Sequence, residues 1–277
     1  MCELFAMSGR ESATVNFSLG VLAEHGGKSG PHADGWGIAF YDEYDVRLLR
    51  DTVCASHSPW VEFVAQHEIR SRLVISHIRL ATDGAIAIKN TQPFSRELGG
   101  RMHVFAHNGH VPEIRQLDQY RATSFQPIGD TDSEIAFCAL LERIKPLLDT
   151  SGEAPTLAAR LEVVAKFALE LGEIGLANFL YCDGEVIFAH GHRRKQADGE
   201  FRAPGLFLLR RQCSETDPFA ESAGVAITNV EQELVLVASV PLTDEAWRPF
   251  AEREVVAIAG GRVVETGGEG GEKCLSE

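Results

Sequence analysis

The chain opens with Met1-Cys2-Glu3-Leu4-Phe5-Ala6-Met7, and this stretch decides how the rest of the sequence is interpreted. Residues 3–7 are mostly apolar and predict a buried β-strand. The small side chain of Cys2 permits removal of Met1, after which Cys2 carries both a thiol and a free α-amine. An α-amine titrates at about pH 7.7 to 8.0, so it can accept the proton that a weak thiol nucleophile must lose. The opening therefore predicts an N-terminal cysteine nucleophile or, alternatively, a cysteine that only packs at the start of a strand.

Beyond this strand, short β-rich runs alternate with segments of helical periodicity. Apolar residues recur at steps of three and four over residues 137–148 and 157–171, which predicts two adjacent amphipathic helices that cover a sheet. Gly260-Gly261 separates two apolar runs and predicts a hairpin turn. The pattern indicates a mixed α and β protein. The other runs that predict strands are 36–41, 73–78, 103–106, 176–181, 186–190, 206–209, 234–240 and 255–264.

Neither an internal repeat nor a Pro- or Ser-rich linker divides the 277 residues, so we expect one domain over residues 1–266. Residues 267–277 contain four glycines and three glutamates with little apolar content, which predicts a flexible tail. These glycines do not follow a strand and open a helix, so they do not indicate a dinucleotide-binding loop.

The composition argues against several classes of function. Hydrophobic residues make up 44% of the chain and charged residues 24%, as in ordinary soluble domains. The net charge of −14 repels phosphate backbones and anionic lipid surfaces, so we expect neither a nucleic acid nor a membrane as a partner. No apolar run approaches the roughly 20 residues that cross a bilayer. We therefore expect a cytoplasmic protein.

The cysteines and histidines predict neither a disulfide framework nor a metal site. Six cysteines are scattered without a CxxC pair, which favours reduced thiols. The ten histidines include no HExxH motif, and the pairs His107 with His110 and His190 with His192 lack a cysteine or carboxylate set at zinc spacing. We expect no metal and no cofactor.

Two segments carry side chains that could bind an amino-acid amide. In residues 76–82, Arg79 stands near the end of a β run, where its guanidinium could hold a substrate carboxylate in two parallel hydrogen bonds or form an ordinary ion pair. In His107-Asn108-Gly109, the Asn108 side chain and the Gly109 backbone could donate hydrogen bonds to the oxyanion of a tetrahedral intermediate. Asn-Gly is, however, more often only a turn. Each segment therefore has a catalytic and a structural interpretation.

A third segment, residues 129–134, precedes the first predicted helix. Thr131 and Glu134 have the spacing of a helix capping box. Asp132 falls in the first turn, where the helix dipole favours a carboxylate, but it could also face the ammonium group of a substrate. The sequence favours neither role of Asp132 over the other.

In their order along the chain, these motifs resemble class II glutamine amidotransferase domains, and most of all the small stand-alone bacterial members. The resemblance covers most of the chain. It implies an α+β fold, the four-layer αββα sandwich of the N-terminal-nucleophile hydrolases, with Cys2 at the end of a central strand. The motifs are Met1-Cys2-Glu3-Leu4-Phe5, Asp34-Gly35-Trp36-Gly37, residues 76–82, Asn90-Thr91-Gln92-Pro93-Phe94, residues 106–109 and Thr131-Asp132-Ser133-Glu134.

The resemblance assigns catalytic roles by motif position. It implies that Cys2 is the nucleophile and that its α-amine shuttles the proton. Asn108 and Gly109 would form the oxyanion hole. The segment 34–37 and the region of Gln92 would line or support the pocket.

It also implies how the substrate is held. Arg79 would bind the α-carboxylate of glutamine, Thr82 would support that contact, and Asp132 would bind the α-ammonium group.

Two positions depart from the family pattern. Ala6 stands where many relatives have glycine and could narrow the space behind the nucleophile. Pro31-His32 replaces the Arg-Gly pair of the larger fused enzymes. The contacts that line the pocket in those enzymes are therefore not assigned to this chain.

The expected reaction is hydrolysis of the glutamine side-chain amide through a γ-glutamyl thioester on Cys2, with release of ammonia. Because the resemblance is to members without a fused synthase domain, the ammonia acceptor would be a separate synthase subunit, or the protein would be a γ-glutamyl amide hydrolase with another substrate. An N-terminal-nucleophile acylase would have less need for both Arg79 and Asp132. A catalytically silent binding module would have less need for Cys2, Asn108 and Gly109 together.

Overall fold

Two antiparallel β-sheets lie face to face in the computed structural model, which describes residues 2–15, 33–67, 69–149, 155–213 and 232–267. The helices are α1 (Pro59–Gln66), α2 (Asp132–Asp149) and α3 (Leu157–Glu173). The strands are β1 (Glu3–Ala13), β2 (Trp36–Asp42), β3 (Asp45–Asp51), β4 (Ser71–Ile78), β5 (Phe94–Leu98), β6 (Arg101–His110), β7 (Leu176–Cys182), β8 (Ile187–Gly191), β9 (Arg194–Lys195), β10 (Phe201–Arg202), β11 (Phe207–Cys213), β12 (Gln232–Ala238), β13 (Arg248–Pro249), β14 (Glu254–Ala259) and β15 (Arg262–Gly267).

The larger sheet has seven strands in the order β13-β11-β12-β1-β4-β2-β3, which makes β1 its central strand. β1 pairs with β4 so that Glu3 lies opposite Ile78, and with β12 so that Phe5 lies opposite Ala238. The smaller sheet has six strands in the order β15-β14-β8-β7-β6-β5. Since β1 and β4 are antiparallel neighbours, the residue before β1 and the residues after β4 meet at the same end of these two strands.

The alternation of side chains along β1 separates the two faces of the larger sheet. Leu4 and Ala6 pack between the sheets, in a core that includes Leu180 of the smaller sheet. Phe5 and Met7 pack on the outer face of the larger sheet. Ala6 is therefore a residue of the core between the sheets, which gives this departure from the family glycine a packing explanation.

Helices cover both outer faces of the sandwich. Phe137 of α2 and Phe167 of α3 are fully buried with Phe105 of the smaller sheet. On the other side, Val64 of α1 packs in the cluster on the outer face of the larger sheet. The expected α+β class and αββα layering are confirmed. Among the described residues, α1 is the only α-helix over the larger sheet, so that layer is thin.

Most predicted elements are present with longer or shifted ends. Both predicted helices are confirmed, and Gly260 and Gly261, with φ of 56° and 76°, form the predicted turn between β14 and β15. The sequence did not predict β3, β5, α1 or the two-residue strands β9, β10 and β13. Gly267 is the last residue of β15, while the rest of the expected tail, residues 268–277, lies outside the described residues. Pro31-His32 also lies outside them, and the single-domain expectation stays a prediction.

None of the described helices combines the length and the apolar character needed to cross a membrane. Within the described ranges, no group of three or more His, Cys, Asp or Glu side chains is arranged to hold a metal ion. Where the structure describes cysteine side chains, they are free thiols: Cys2, Cys54, Cys138 and Cys182.

Candidate active site

Cys2 lies immediately before the central strand β1, beside the residues that follow β4. Its Sγ accepts a hydrogen bond from the backbone N–H of Leu80 at 3.3 Å and donates one to the Leu80 carbonyl at 3.4 Å. The side chain is partly buried. These contacts fix the thiol at the end of the central strand of the larger sheet.

Arg79 directly follows β4, interacts electrostatically with Cys2, and is 3% exposed. Its Nη1 donates to the Ala85 carbonyl at 3.1 Å, and its Nη2 donates to the carbonyls of Asp83 at 3.0 Å and Gly84 at 3.1 Å. The guanidinium therefore orders the loop that follows it. The Nε–H and one Nη1–H are not used by these bonds.

Asn108 on β6 is connected to β1 through one serine. Its Nδ2 donates to Ser239 Oγ at 3.3 Å, and the same Oγ accepts from the backbone N–H of Leu4 at 3.0 Å. Ser239 N–H in turn donates to the Leu4 carbonyl at 3.0 Å. The Asn108 carbonyl accepts from Asn178 Nδ2 at 3.0 Å. The Asn108 amide of the smaller sheet is thus tied to the strand that begins one residue after Cys2.

Gly109 is the next residue of β6, and it lies where no side chain fits. A Cβ at this position would overlap the Leu176 carbonyl and the ring of His107. The structure therefore requires glycine here for packing, independently of any catalytic role. The turn interpretation of Asn108-Gly109 is wrong, because both residues lie within a regular strand.

Asp132 is the first residue of α2 and is 2% exposed. Its Oδ2 accepts from the backbone N–H of Val111 at 2.7 Å, and its Oδ1 accepts from Ser133 Oγ at 3.3 Å. His110 Nδ1 lies 3.6 Å from Oδ2. The carboxylate therefore has a structural role, and its remaining lone pairs could accept from an ammonium group. Thr82, between Arg79 and Asp132 in the chain, is exposed.

The capping box at the start of α2 is only half confirmed. Thr131 Oγ1 accepts from the backbone N–H of Glu134 at 3.3 Å, as a cap does. The Glu134 carboxylate instead accepts from Arg96 at 2.5 Å and from the Gly129 N–H at 2.6 Å. The partly buried guanidinium of Arg96 outcompetes the reciprocal bond that the spacing predicts.

Comparisons with known proteins show which family the chain belongs to. The chain matches the sequence model of the class II glutamine amidotransferases over residues 1–275. This chain belongs to the class II glutamine amidotransferases. The resemblance is thereby confirmed, and so is the expected class of enzyme, since members of this family hydrolyse the side-chain amide of glutamine.

Individual relatives extend over nearly the whole chain. YafJ of Escherichia coli (strain K12), named as a glutamine amidotransferase, is 36% identical over 92% of this chain and 96% of its own. The crystal structure of a predicted glutamine amidotransferase from Pseudomonas aeruginosa PA01 superposes with a TM-score of 0.67 at 31% identity, over 95% of this chain and 99% of that one. The glutamine phosphoribosylpyrophosphate amidotransferase of Bacillus subtilis shares the fold, with a TM-score of 0.58 at 16% identity over 96% of this chain and 49% of that one.

Asp83 connects two candidate substrate-binding residues of this amidotransferase, and sequence reasoning missed it. Its carbonyl accepts from Arg79, while its Oδ2 accepts from the Asp132 N–H at 2.9 Å and from Arg115 Nη2 at 2.5 Å. Partial burial raises the pKa of Asp83, but these hydrogen bonds outweigh it and hold the pKa below its ordinary value. Asp83 therefore stays ionised at neutral pH and couples the position of Arg79 to that of Asp132.

Asp34, in the segment 34–37, and Gln92 hold the backbone next to the candidate site residues Arg79 and Asn108. Asp34 Oδ2 accepts from the Ala81 N–H at 2.7 Å, so it holds the chain that leaves Arg79. Gln92 forms two hydrogen bonds with the backbone of His107, the residue before Asn108. Its Oε1 accepts from His107 N–H at 2.6 Å and its Nε2 donates to the His107 carbonyl at 3.2 Å. The structure places both segments as supports of the candidate site.

Ser239 and Asn178 are the other residues that the sequence did not reveal. Ser239 lies 131 residues from Asn108 and directly after β12, in a stretch of apolar residues without a recognisable motif. Asn178 lies in the middle of β7 and is fully buried. A polar residue inside an apolar strand was the one available signal, because a buried amide requires partners.

Burial raises the pKa of the Cys2 thiol above its ordinary value, although the hydrogen bond from Leu80, the charge of the N-terminal ammonium group and the charge of Arg79 act in the opposite direction. The reactive thiolate is therefore a minor species at neutral pH. A base close to the thiol is consequently needed for rapid attack, and the α-amine of Cys2 is suited to that role.

The raised pKa predicts how the reactivity of Cys2 depends on pH. Because the thiolate fraction grows as pH rises toward the pKa, alkylation of Cys2 by iodoacetamide should accelerate across the range from neutral to alkaline pH. Cys54 is the internal comparison: burial raises its pKa, but hydrogen bonds with Ser56 and His57 prevail and lower it, so its rate should level off earlier. Peptide mapping by mass spectrometry after timed labelling measures both rates, and a Cys2 rate that levels off before that of Cys54 would contradict the prediction.

Proposed function

We propose that Cys2, freed by removal of Met1, attacks the δ-carbonyl of glutamine or of a related γ-glutamyl amide. The α-amine takes the thiol proton as the S–C bond forms, and the oxyanion is stabilised by the Asn108 side chain and the Gly109 N–H. The same proton is returned to the leaving nitrogen as the C–N bond breaks, which releases ammonia and leaves a γ-glutamyl thioester. Water then hydrolyses the thioester to give glutamate and the free thiol.

The observation that carries this proposal is the hydrogen-bonded connection from Asn108 through Ser239 to Leu4. An oxyanion donor must hold a fixed position relative to the nucleophile, because a preformed donor costs no reorganisation during the reaction. Ser239 binds both the Asn108 amide and the backbone of β1. The donor and the nucleophile are thereby attached to the same point of the sandwich, although they belong to different sheets.

The proposed substrate contacts favour a free amino acid with a side-chain amide. Arg79, supported by Thr82, would bind the α-carboxylate through its Nε–H, and Asp132 would bind the α-ammonium group. The bonds through Asp83 hold these opposite charges in a fixed relation. A simple N-acyl amine carries neither charge, so the site has features that an acylase would not use.

Three compounds test the substrate assignment: glutamine, its Nα-acetyl derivative, which lacks the ammonium group, and its α-amide, which lacks the carboxylate. We expect glutamine to have the highest kcat/KM by about tenfold or more, as for loss of a charge-assisted hydrogen bond. The Asp132→Asn variant should lose the preference for glutamine over the acetyl derivative, while the Arg79→Lys variant should lose the preference over the α-amide. An uncharged acyl amide that is cleaved faster than glutamine would contradict the assignment and favour an acylase.

For the fate of the ammonia, we propose a separate synthase subunit as the acceptor. The chain spans about half of the Bacillus subtilis amidotransferase, which is therefore much longer than the shared fold. Affinity purification of the tagged enzyme from native lysate should return a synthase that raises glutamine turnover when added back. If no partner is found and another γ-glutamyl amide is cleaved faster than glutamine, the enzyme is a γ-glutamyl amide hydrolase instead.

Replacing Ser239 with alanine tests the connection between the sheets. The change removes the hydroxyl that both Asn108 and Leu4 use, while Arg79 and Asp132 keep their contacts. We expect kcat to fall about tenfold, as for loss of one buried hydrogen bond that positions a catalytic donor, with KM nearly unchanged.

The matched control is Ser8→Ala. Ser8 on β1 is also almost fully buried, but its hydroxyl accepts from Gly261 N–H at 3.3 Å, away from the site. Equal kcat values for the two variants would contradict a positioning role for Ser239.

A further inference from the structure

A cavity of about 580 Å³ lies at the end of the sandwich opposite Cys2. β1 leads away from Cys2 and brings Arg10 to this cavity, and the antiparallel β4 brings Arg72. Arg101, the first residue of β6, completes a group of three guanidinium side chains in its wall. The cavity is separate from the candidate active site, and its volume falls in the range of small-molecule sites, about 300 to 1,000 Å³.

The charge of this cavity differs from that of the protein as a whole. The chain carries a net charge of −14, yet three arginines and two glutamates, Glu43 and Glu185, line the cavity. Glu185 is shared, since its carboxylate lies 3.5 Å from Arg101 Nη1 and 3.0 Å from Arg160 Nη1. Arg10 Nε lies 3.8 Å from the carboxylate of Glu11, and both side chains are more than half exposed, so this pair neutralises Arg10 only weakly. Three guanidinium groups thus line one cavity, and an anion there would relieve their mutual repulsion.

An aromatic ring lies in the same wall. Tyr44 in the turn between β2 and β3 is 57% exposed, and the guanidinium carbon of Arg101 lies 4.8 Å from the centre of its ring. The turn is fixed to the smaller sheet, because Met102 N–H donates to the Tyr44 carbonyl at 2.8 Å. A large exposed ring held on a rigid turn next to cationic side chains is suited to stacking against a planar ligand.

We propose that this cavity binds a phosphorylated small molecule with a planar ring, the chemistry of a nucleoside phosphate. Arg10 and Arg72 bind the phosphate groups, for which the planar guanidinium forms paired hydrogen bonds. The planar ring lies against Tyr44 beside Arg101. The site is independent of amide hydrolysis, so its ligand binds equally well to the Cys2→Ala variant.

Isothermal titration calorimetry on the full chain at low salt tests the proposal with ADP, inorganic pyrophosphate and adenosine. We expect ADP to bind about tenfold or more tightly than adenosine, and the Arg72→Gln variant to bind ADP and pyrophosphate about tenfold more weakly. The Tyr44→Ala variant should weaken ADP binding and leave pyrophosphate binding unchanged.

The control is Arg47→Gln, which removes an exposed arginine of β3 that does not line the cavity. It should bind ADP like the unmodified protein. The proposal is overturned if neither ADP nor pyrophosphate binds at millimolar concentration, if adenosine binds as tightly as ADP, or if Arg72→Gln and Arg47→Gln bind ADP equally.

Discussion

The Cys2→Ala variant is expected to lose glutamine hydrolysis by about 10⁴-fold or more, because removal of a covalent nucleophile leaves only binding and oxyanion stabilisation. Alanine is as small as cysteine at the second position, so Met1 is still removed. Within the described part of the chain, the side chain exchanges hydrogen bonds with Leu80, and the fold should survive its loss. Ammonia release from glutamine, measured with a coupled assay, gives the rate, and circular dichroism verifies the fold.

Cys54→Ala is the matched control for this variant. Cys54 is also partly buried, and the hydrogen bonds of its Sγ with Ser56 Oγ at 2.9 Å and His57 Nδ1 at 3.2 Å make it the more acidic thiol. If thiol acidity alone decided activity, Cys54 would be the better nucleophile. We expect full activity in Cys54→Ala, and an active Cys2→Ala enzyme would exclude the thioester mechanism.

Replacing Asn108 with alanine should reduce kcat by about 10²- to 10³-fold, the usual effect of removing one oxyanion donor. The KM for glutamine should change little, because the donor acts on charge that develops only in the transition state. Asn108→Asp is the sharper variant, since it keeps the shape of the side chain but replaces the donor Nδ2 with an oxygen. Steady-state kinetics should show a large loss of kcat in both variants.

The Asn178→Ala variant is the control that distinguishes the catalytic effect of losing the Asn108 donor from the structural effect of losing a buried amide. Asn178 bonds to the carbonyl of Asn108 and to that of Arg193 at 2.8 Å, so its removal also leaves buried groups without partners. We expect a similar decrease in melting temperature but a smaller decrease in kcat than in Asn108→Ala. If Asn178→Ala lowers kcat as much as Asn108→Ala, or if Asn108→Asp stays fully active, Asn108 is not the oxyanion donor.

The sequence predicted the elements whose residues interact locally. Helical periodicity over residues 137–148 and 157–171 and the glycines at 260 and 261 act through neighbours a few positions away, and all three elements are present. The site residues near Cys2 were predicted through an ordered series of motifs rather than through periodicity. Their relative placement follows from the pairing of β1 with β4, which the motifs alone do not define.

The residues that the sequence did not reveal act across the fold. Ser239 contacts Leu4 from a position 235 residues away, and nothing near it in the chain indicates that contact. In the sequence, Asp83 has the features of an ordinary loop residue. Its role depends on the fold, in which Asp132 N–H and Arg115 donate hydrogen bonds to its carboxylate. The capping box failed in part for the same reason, because Arg96 of strand β5 binds the Glu134 carboxylate of helix α2.

The central claim is that Cys2, with a free α-amine, is the nucleophile of a pocket shaped for glutamine. The most direct test is the intact mass of the purified protein before and after incubation with a glutamine-mimicking diazo-ketone, followed by mapping of the modified peptide. We predict loss of Met1, a single adduct on Cys2, and protection by excess glutamine. A processed protein that takes no label, or an adduct on Cys54 that glutamine does not prevent, would contradict the assignment of Cys2 and of its substrate.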